Sequence, residues 1–463
     1  MSQPLTAVPA ARVLKMLDDE RALYAQRTPR SKTLAAEMKE HWLRGVPMHW
    51  MVDWGTPYPL TIAEARGVIL KDADDNRYVD FCLGDTGAMF GHSPPAVRAA
   101  MHTQAERGLT VMLPGPDTAV VGRLLAQRFG LPYWQVTATA SDANRSVIRW
   151  ARAVTGRKKL LVFNGCYHGA VDDTFVSIEN GKVQNRPGLV GEVRDVTEAT
   201  HVIEFNDVGA LEQALKGGDI ALVLAEPVMT NCGMVLPEPG YHDELRRLTR
   251  RYGTLLCIDE THTISSGPGG YTGTHSLEPD FFVLGKPISG GVPAAIYGWT
   301  ADVNARLQEY LAKREPGYSG IGTTLSGNAL QLACMRAVLE NVLTYEVYHK
   351  ALPLAAALEG GIAELIRHHH LPWHVVRVGL RAEIVNSEKR PKNGSEAKLF
   401  AHSDIEHALH LYCLNRGVVI TPFHNMMLVC PETKEEDISQ LLDVLDSGMA
   451  ELSGHAALRQ ANS

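Results

Sequence analysis

Lys286 ends an apolar strand and opens onto glycines in Val283-Leu284-Gly285-Lys286-Pro287-Ile288-Ser289-Gly290-Gly291. Glycines let another group approach the backbone closely. A lysine amine in such a pocket can form a Schiff base with an aldehyde. Taken alone, it is equally a solvated lysine in a glycine-rich turn. Asp259 changes that balance, because it ends the preceding apolar run, Leu255-Leu256-Cys257-Ile258-Asp259-Glu260. An acid at the mouth of one buried strand and a lysine at the mouth of the next suit pyridoxal phosphate (PLP). PLP chemistry needs a lysine at the aldehyde and a carboxylate at the pyridine nitrogen.

Two further strand ends carry usable polar groups. Thr139-Ala140-Ser141-Asp142-Ala143-Asn144 opens a helix with small and hydroxyl residues. Its backbone N–H groups, hydroxyls and helix dipole suit a phosphate, although an ordinary N-cap uses the same residues. Asn164-Gly165-Cys166-Tyr167-His168-Gly169 follows a strand and offers Tyr167 to stack on a pyridine ring. It reads equally as a plain strand-to-loop turn.

These segments need a scaffold, and the apolar pattern supplies one. From about 115 to 300, helical and buried-strand patterns alternate. Strands are expected at 159–163, 220–225, 255–258 and 281–284, and helices at 144–154, 211–216 and 241–252. Such alternation means βα units around a largely parallel sheet, with sites at the strand C-termini. Before it come helices over 9–43, broken at Thr28-Pro29-Arg30-Ser31, and a hairpin pairing Gly67–Leu70 with Tyr78–Phe81. After it, a long helix over 329–345 leads to an α+β segment. There, strands are expected near 375–384 and 418–428, and helices near 404–415 and 435–452. Three parts are expected: 1–60, an N-terminal helical segment and loop; 61–340, a large α/β domain; and 341–463, a small α+β domain.

The chain has 463 residues, 45% hydrophobic and 21% charged, with a formal net charge of −7. That is globular composition. The acidic balance, with no basic block, argues against a nucleic-acid partner. Seven scattered cysteines without a CxxC pair indicate a reducing compartment, so a cytoplasmic location is expected. The first residues show no secretory pattern, and no apolar run reaches the roughly 18 residues of a membrane span. His368-His369-His370, near His374, reads as a polar helix end rather than a metal site, because adjacent helical residues point apart.

Together these motifs resemble the class III aminotransferases, a family of fold-type I PLP enzymes. The likeness is strongest to the branch of glutamate-1-semialdehyde aminomutases, β-amino-acid transaminases and omega-transaminases. It runs over nearly the whole chain, through Gly91-His92-Ser93-Pro94, Thr139–Asn144, Gly165–Gly169, Ala225-Glu226-Pro227, Asp259-Glu260, Gly285-Lys286 and Thr324-Leu325-Ser326-Gly327-Asn328. It implies a mainly parallel seven-stranded sheet flanked by helices, with a smaller α+β domain. It also implies roles. Lys286 would carry the cofactor, Asp259 would hold the pyridine nitrogen protonated, and Glu226 would orient the ring from its hydroxyl side. Ala140 and Ser141 would bind the phosphate in place of the family's glycine and threonine, and Tyr167 would stack on the ring. Thr324 would reach the phosphate of a neighbouring subunit, which implies a homodimer with shared sites. Asn231 and His168 would support these groups. The implied reaction moves an amino group from an amine donor to a carbonyl acceptor. An aminomutase or racemase uses the same Lys286 and Asp259.

The chain also departs from the family. Thr261 stands where an apolar residue packs under the ring, with His262 beside it. The arginine that clamps a substrate carboxylate is missing from Gly45–Trp54, where His49 or Trp50 takes its place. A second arginine is missing from Thr421-Pro422-Phe423-His424-Asn425. Trp50, Trp54, Tyr58 and Phe423 offer an aromatic pocket instead, suited to amines without an α-carboxylate. They serve equally as domain-junction packing. Arg381 is the reserve carboxylate partner. Two other readings are weaker. The run Gly267-Pro268-Gly269-Gly270-Tyr271-Thr272-Gly273 fails the GxGxxG spacing of a nucleotide-binding oxidoreductase. An intact Lys286 argues against a non-catalytic binding module.

Overall fold

The computed structural model describes residues 8–192, 194–456 and 458. Its contacts divide the chain into two compact units: 95–345 with 391–398, and 8–94 with 346–390 and 399–458.

The larger unit is built on seven strands: β1 (Tyr133–Thr137), β2 (Lys159–Phe163), β3 (Thr200–Ile203), β4 (Ile220–Ala225), β5 (Leu255–Asp259), β6 (Phe281–Leu284) and β7 (Ala295–Trp299). Their order is β1-β7-β6-β5-β4-β2-β3. Every neighbouring pair is parallel except those of β7, which runs antiparallel to both β6 and β1. All residues of β4, β5 and β6 are buried. This is why those segments read as unbroken apolar runs: a strand covered on both faces has no polar side to alternate with. Asp259 and Lys286 follow from the register. Ile258 pairs with Phe282 and Asp259 with Val283, so both functional side chains emerge at the same sheet edge.

The sequence pattern missed β1, β3 and β7, and the hairpin Val176–Glu179/Lys182–Asn185. β1 and β3 are short and carry Gln135 and His201 inside the sheet, which breaks the apolar signal. The helix that opens at Thr139 starts at Ala140 and runs to Thr155, ending on Gly156 in the left-handed conformation (φ 68°).

In the second unit the helical start is two helices, Ala10–Arg27 and Pro29–Met38, with Thr28 as the break. The first packs on Ser403–Asn415, fixed where Asn415 Nδ2 and Arg416 Nη1 bond to Glu20 at 2.7 and 2.9 Å. Two expected strands are corrected. The 375–384 span is a hairpin of His374–Val378 and Arg381–Val385, turned at Gly379 (φ 61°). The 418–428 span is two short strands in different sheets. Val418–Val419 pairs with Arg77–Asp80, and Met427–Leu428 pairs with Arg381–Val385. Pro422 lacks an N–H, and His424 and Asn425 have φ of 59° and 39°, so no strand can continue across them. The expected helix from 329 stops at Asn341, and a separate helix spans Tyr345–His368.

The histidine triplet points three ways at the end of that helix. His369 is buried and bonds Asp446 at 2.7 Å, His368 bonds the Ala456 carbonyl at 3.0 Å, and His370 is exposed. Among the described residues, no helix is long and apolar enough to cross a membrane.

Candidate active site

Asp259 is buried at the C-terminal end of β5, and its two oxygens are held separately. Oδ2 accepts from Asn144 Nδ2 at 2.9 Å and lies 3.0 Å from His168 Nδ1. Oδ1 accepts from the Thr261 hydroxyl at 2.7 Å and the Thr261 N–H at 3.2 Å. Burial works against the charge. The bonds from His168, Thr261 and Asn144 outweigh it and hold the carboxyl below the usual carboxylate range. Burial likewise works against a charged His168, but Cys166 and Asp259 beside it raise its pKa to about 10. Asp259 is therefore an ionised acid at neutral pH, paired with a cationic imidazole.

Lys286 follows Gly285 at the end of β6 and has a left-handed φ of 45°. Its Nζ lies 2.8 Å from His262 Nε2. The loop is crowded: a Cβ on Gly285 would lie 2.8 Å from the Ala140 Cβ. The start of the helix at Ala140 and the approach to Lys286 are therefore in contact, and the glycine is needed to let them meet.

The helix start is capped by Thr139, whose side chain accepts from the Asp142 N–H at 3.2 Å. Capping therefore does not consume Ser141. Its hydroxyl accepts instead from the Ala170 N–H at 2.9 Å, tying the helix to the loop after β2. A Cβ on Gly169 (φ 83°) would fall 2.1 Å from the same hydroxyl. Gly165 and Gly169 thus turn the loop tightly, burying His168 and leaving Tyr167 45% exposed. Glu226 is buried past the end of β4, where Oε2 accepts the Thr230 N–H at 3.1 Å and the Thr230 hydroxyl. Asn231 Nδ2 stands 3.5 Å from that oxygen. Burial pushes the Glu226 carboxyl up. Thr324 is exposed on the turn before the helix Ala329–Asn341.

Asn144 and His262 are the two contacts that sequence reasoning left without roles. Asn144 bridges Asp259 and the His168 carbonyl (3.1 Å). Its signal was present, because it sits among Ala143, Val147, Ile148 and Ala151 on the buried face. A buried amide there needs a buried partner. The glycine run 267–270 wraps another acid. Glu260 accepts from Thr263 Oγ1 at 2.6 Å and from the N–H groups of Tyr271 and Thr272, and Gly270 leaves it room.

The expected substrate residues all lie in the second unit. Tyr58 OH is tied to Thr28 at 3.0 Å, and Trp54 packs edge-on to His410 with ring centroids 5.5 Å apart. Trp50 and Phe423 are 51% and 45% exposed, and His49 is exposed beside Trp50. The helix Ser403–Asn415 brings two of these segments together: Gly55 packs on His407, and the His424 N–H bonds Glu406 at 3.1 Å. Arg381 is buried against Glu383 at 2.8 Å, with Asp85 at 3.5 Å. That guanidinium is already committed to carboxylates of the protein.

Residues 51–448 match the class-III aminotransferase family. The chain belongs to this family. It is 30% identical over 403 residues to glutamate-1-semialdehyde 2,1-aminomutase of Aquifex aeolicus, covering 85% of this chain and 93% of that one. The Chloroflexus aggregans protein of the same name is 31% identical over 407 residues, with 85% and 91% covered. A crystal structure of a glutamate-1-semialdehyde-aminomutase from Pseudomonas aeruginosa PAO1 aligns with a TM-score of 0.94 at 48% identity, covering 96% of this chain and 100% of that one. A K286A form of that protein, in complex with PMP, aligns equally well. A β-phenylalanine aminotransferase from Variovorax paradoxus, 23% identical, shares the fold with a TM-score of 0.85, covering 96% and 99%.

The cofactor of this class III enzyme is PLP, and the residues fit it. An amine, an ionised acid, an exposed ring and a helix start are gathered on the sheet edge. Buried polar atoms there lack protein partners, namely Glu226 Oε1, His168 Nε2 and Asn144 Oδ1. Thr261 shows how this chain departs from an apolar ring-face residue. Its hydroxyl is used by Asp259, and it also stands 3.3 Å from the Gly285 N–H. Thr261→Val is expected to weaken PLP retention about tenfold, the size of one lost hydrogen bond to a charged group. Equilibrium dialysis measures it, and unchanged retention would remove Thr261 from the acid's support.

Proposed function

We propose that the chain is a transaminase that moves an amino group from an amine or amino acid to a carbonyl acceptor. The observation that carries this reading is the Lys286 amine and the ionised Asp259 carboxylate, emerging from adjacent parallel strands in one unit. PLP, when bound, supplies an aldehyde for the amino group and a ring that delocalises the electron pair released at the substrate carbon. Lys286 Nζ would tether the cofactor and, once the donor amine has displaced it from the aldehyde, would carry the proton from the amine-bearing carbon to the former aldehyde carbon. His262 Nε2 receives a hydrogen bond from that nitrogen and fixes its direction. Asp259 stabilises positive charge at the ring nitrogen, with His168, Asn144 and Thr261 preventing its rotation. Ser141 and the N–H groups beside Ala140 would receive the phosphate, Tyr167 would stack on the ring, and Glu226 would orient it.

A homodimer belongs to this reading, because the exposed Thr324 is free of the local turn bonds made by Thr323 and Ser326 (2.9 Å) and so suits a neighbouring site. A cytoplasmic location is supported by seven scattered cysteines without a CxxC pair.

The aminomutase reading is favoured by a specific observation, the 48% identity to the P. aeruginosa protein named for that reaction. The two differ in whether the carbonyl intermediate leaves. For the substrate side, Trp50, Trp54, Tyr58, His49 and Phe423 would suit a donor without an α-carboxylate, and Arg381, paired with Glu383 at 2.8 Å, is the weaker candidate for a carboxylate. Half-reactions of the PLP form with aryl amines, β-amino acids, α-amino acids and glutamate-1-semialdehyde test both points. The transaminase reading expects stoichiometric carbonyl release, with amines or β-amino acids at least tenfold faster than α-amino acids. Conversion of glutamate-1-semialdehyde without release would establish the aminomutase instead.

A further inference from the structure

At the other end of the sheet lies a cleft of about 610 Å³. Lys158 immediately precedes β2 and Gly156 closes the helix Ala140–Thr155, so the cleft sits at strand N-termini, whereas Asp259 and Lys286 sit at strand C-termini. Six of its lining residues are cationic: Arg149, Arg152, Arg157, Lys158, Arg194 and Arg314. Among the described residues, no acidic residue lines it.

Some of this charge is structural. Arg157 bonds the carbonyls of Ile220 and Tyr252 and the Thr254 hydroxyl, at 2.9–3.1 Å. Arg152 and Arg194 share one carboxylate, Asp173, at 3.0 and 2.6 Å. Among the described residues, Arg149, Lys158 and Arg314 have no carboxylate within ion-pair distance. Arg149 and Arg314 are instead aimed by carbonyls of one loop, Ser319 O at 3.1 Å and Tyr318 O at 2.7 Å. The loop is shaped to that end: a Cβ on Gly320 (φ 71°) would strike Arg149 Nη2 at 2.6 Å. Cations gathered around one cavity repel each other, and a multivalent anion relieves that repulsion. Guanidinium forks match phosphate oxygens in particular. Tyr310 and Tyr318, 38% and 88% exposed, add aromatic faces to the same cleft.

We propose that this cleft binds a nucleoside polyphosphate, with the phosphates on Arg149, Lys158 and Arg314 and the base against Tyr318. The volume falls in the range of about 300–1,000 Å³ that small-molecule sites occupy. The net charge of −7 opposes a long nucleic acid, which needs an extended basic track.

Calorimetric titration of the PLP-loaded full chain tests the proposal, since the cofactor's own phosphate site is then filled. ATP, inorganic triphosphate, adenosine and a single-stranded oligonucleotide are the probes. ATP should bind and adenosine should not. Arg149→Gln and Arg314→Gln should each weaken ATP about tenfold, and Arg149→Lys should restore part of the loss. Tyr318→Ala should weaken ATP but leave triphosphate unchanged. Melting curves identify any variant that fails to fold, and Lys158→Gln, at an exposed side chain, then supplies the reading. Equal binding of ATP and triphosphate, indifferent to Tyr318→Ala, overturns the nucleoside assignment. Tighter binding of the oligonucleotide overturns the small-molecule assignment. No binding of any probe at millimolar concentration, or binding indifferent to both arginines, overturns the site.

Discussion

Lys286→Ala is expected to lower kcat by about 10⁴-fold or more, because in the proposed reaction one nitrogen is both tether and proton carrier. The variant should stay folded. Alanine meets the same left-handed backbone (φ 45°) that lysine already occupies, so the substitution adds no new strain. The helix start at Ala140–Ser141 and the Asp259 cluster are untouched, so non-covalent cofactor uptake should persist. Borohydride reduction and peptide mapping provide the second measurement. The wild type should be labelled on the peptide containing Lys286, and the variant should carry no label. A variant that keeps more than a hundredth of wild-type kcat, or a label on another lysine, would refute the assignment.

Asp259→Asn is expected to lower kcat by about 10²–10³-fold, the usual consequence of removing one preorganised charge from a site that excludes water. Asn can keep the bond from Thr261 but cannot balance the charge on His168, which lies 3.0 Å away with no exposure to solvent. Asp259→Ala should also cost about 3–5 kcal/mol of stability, because it strands a buried imidazolium. The sign of the pH effect follows from the lowered pKa. The carboxylate is already ionised below the ordinary Asp value of about 3.9, so its charge is constant from pH 5 to 8. Wild-type rates over that range should show no acid limb belonging to Asp259. Single-turnover rates across pH for wild type and Asp259→Asn check both claims. An acid limb near pH 6 that disappears in the variant would mean the carboxyl is not held ionised.

The strand ends were legible because β4, β5 and β6 are covered on both faces. Their apolar runs have clear limits, and a charged residue at such a limit is conspicuous. Partnering was not legible. Asn144 is 115 positions from Asp259, and His262 is 24 from Lys286. Hydrogen bonds across such separations leave no periodic trace in the chain. Thr261 illustrates the limit most directly. As a residue type it looked like a change to the ring face, and only its 2.7 Å bond to Asp259 assigns the hydroxyl to the acid. Arg381 was a candidate by type, and only the tertiary structure shows it buried against Glu383. The chain order around Thr421–Asn425 also misled, because one apolar span serves two sheets once Pro422 interrupts it.

The order of residues alone determined which side chains stand at the strand mouths, since hydrophobic burial sets strand limits locally and a lysine or aspartate there has nowhere else to go. What each of those side chains meets was decided by the tertiary structure. The parallel register of β5 and β6 brings the acid and the amine to one edge, and the crossing of the Ala140–Thr155 helix delivers Asn144 to Asp259. Burial there makes every unmatched charge expensive, so the partners rather than the residue types set the ionisation on which the chemistry depends.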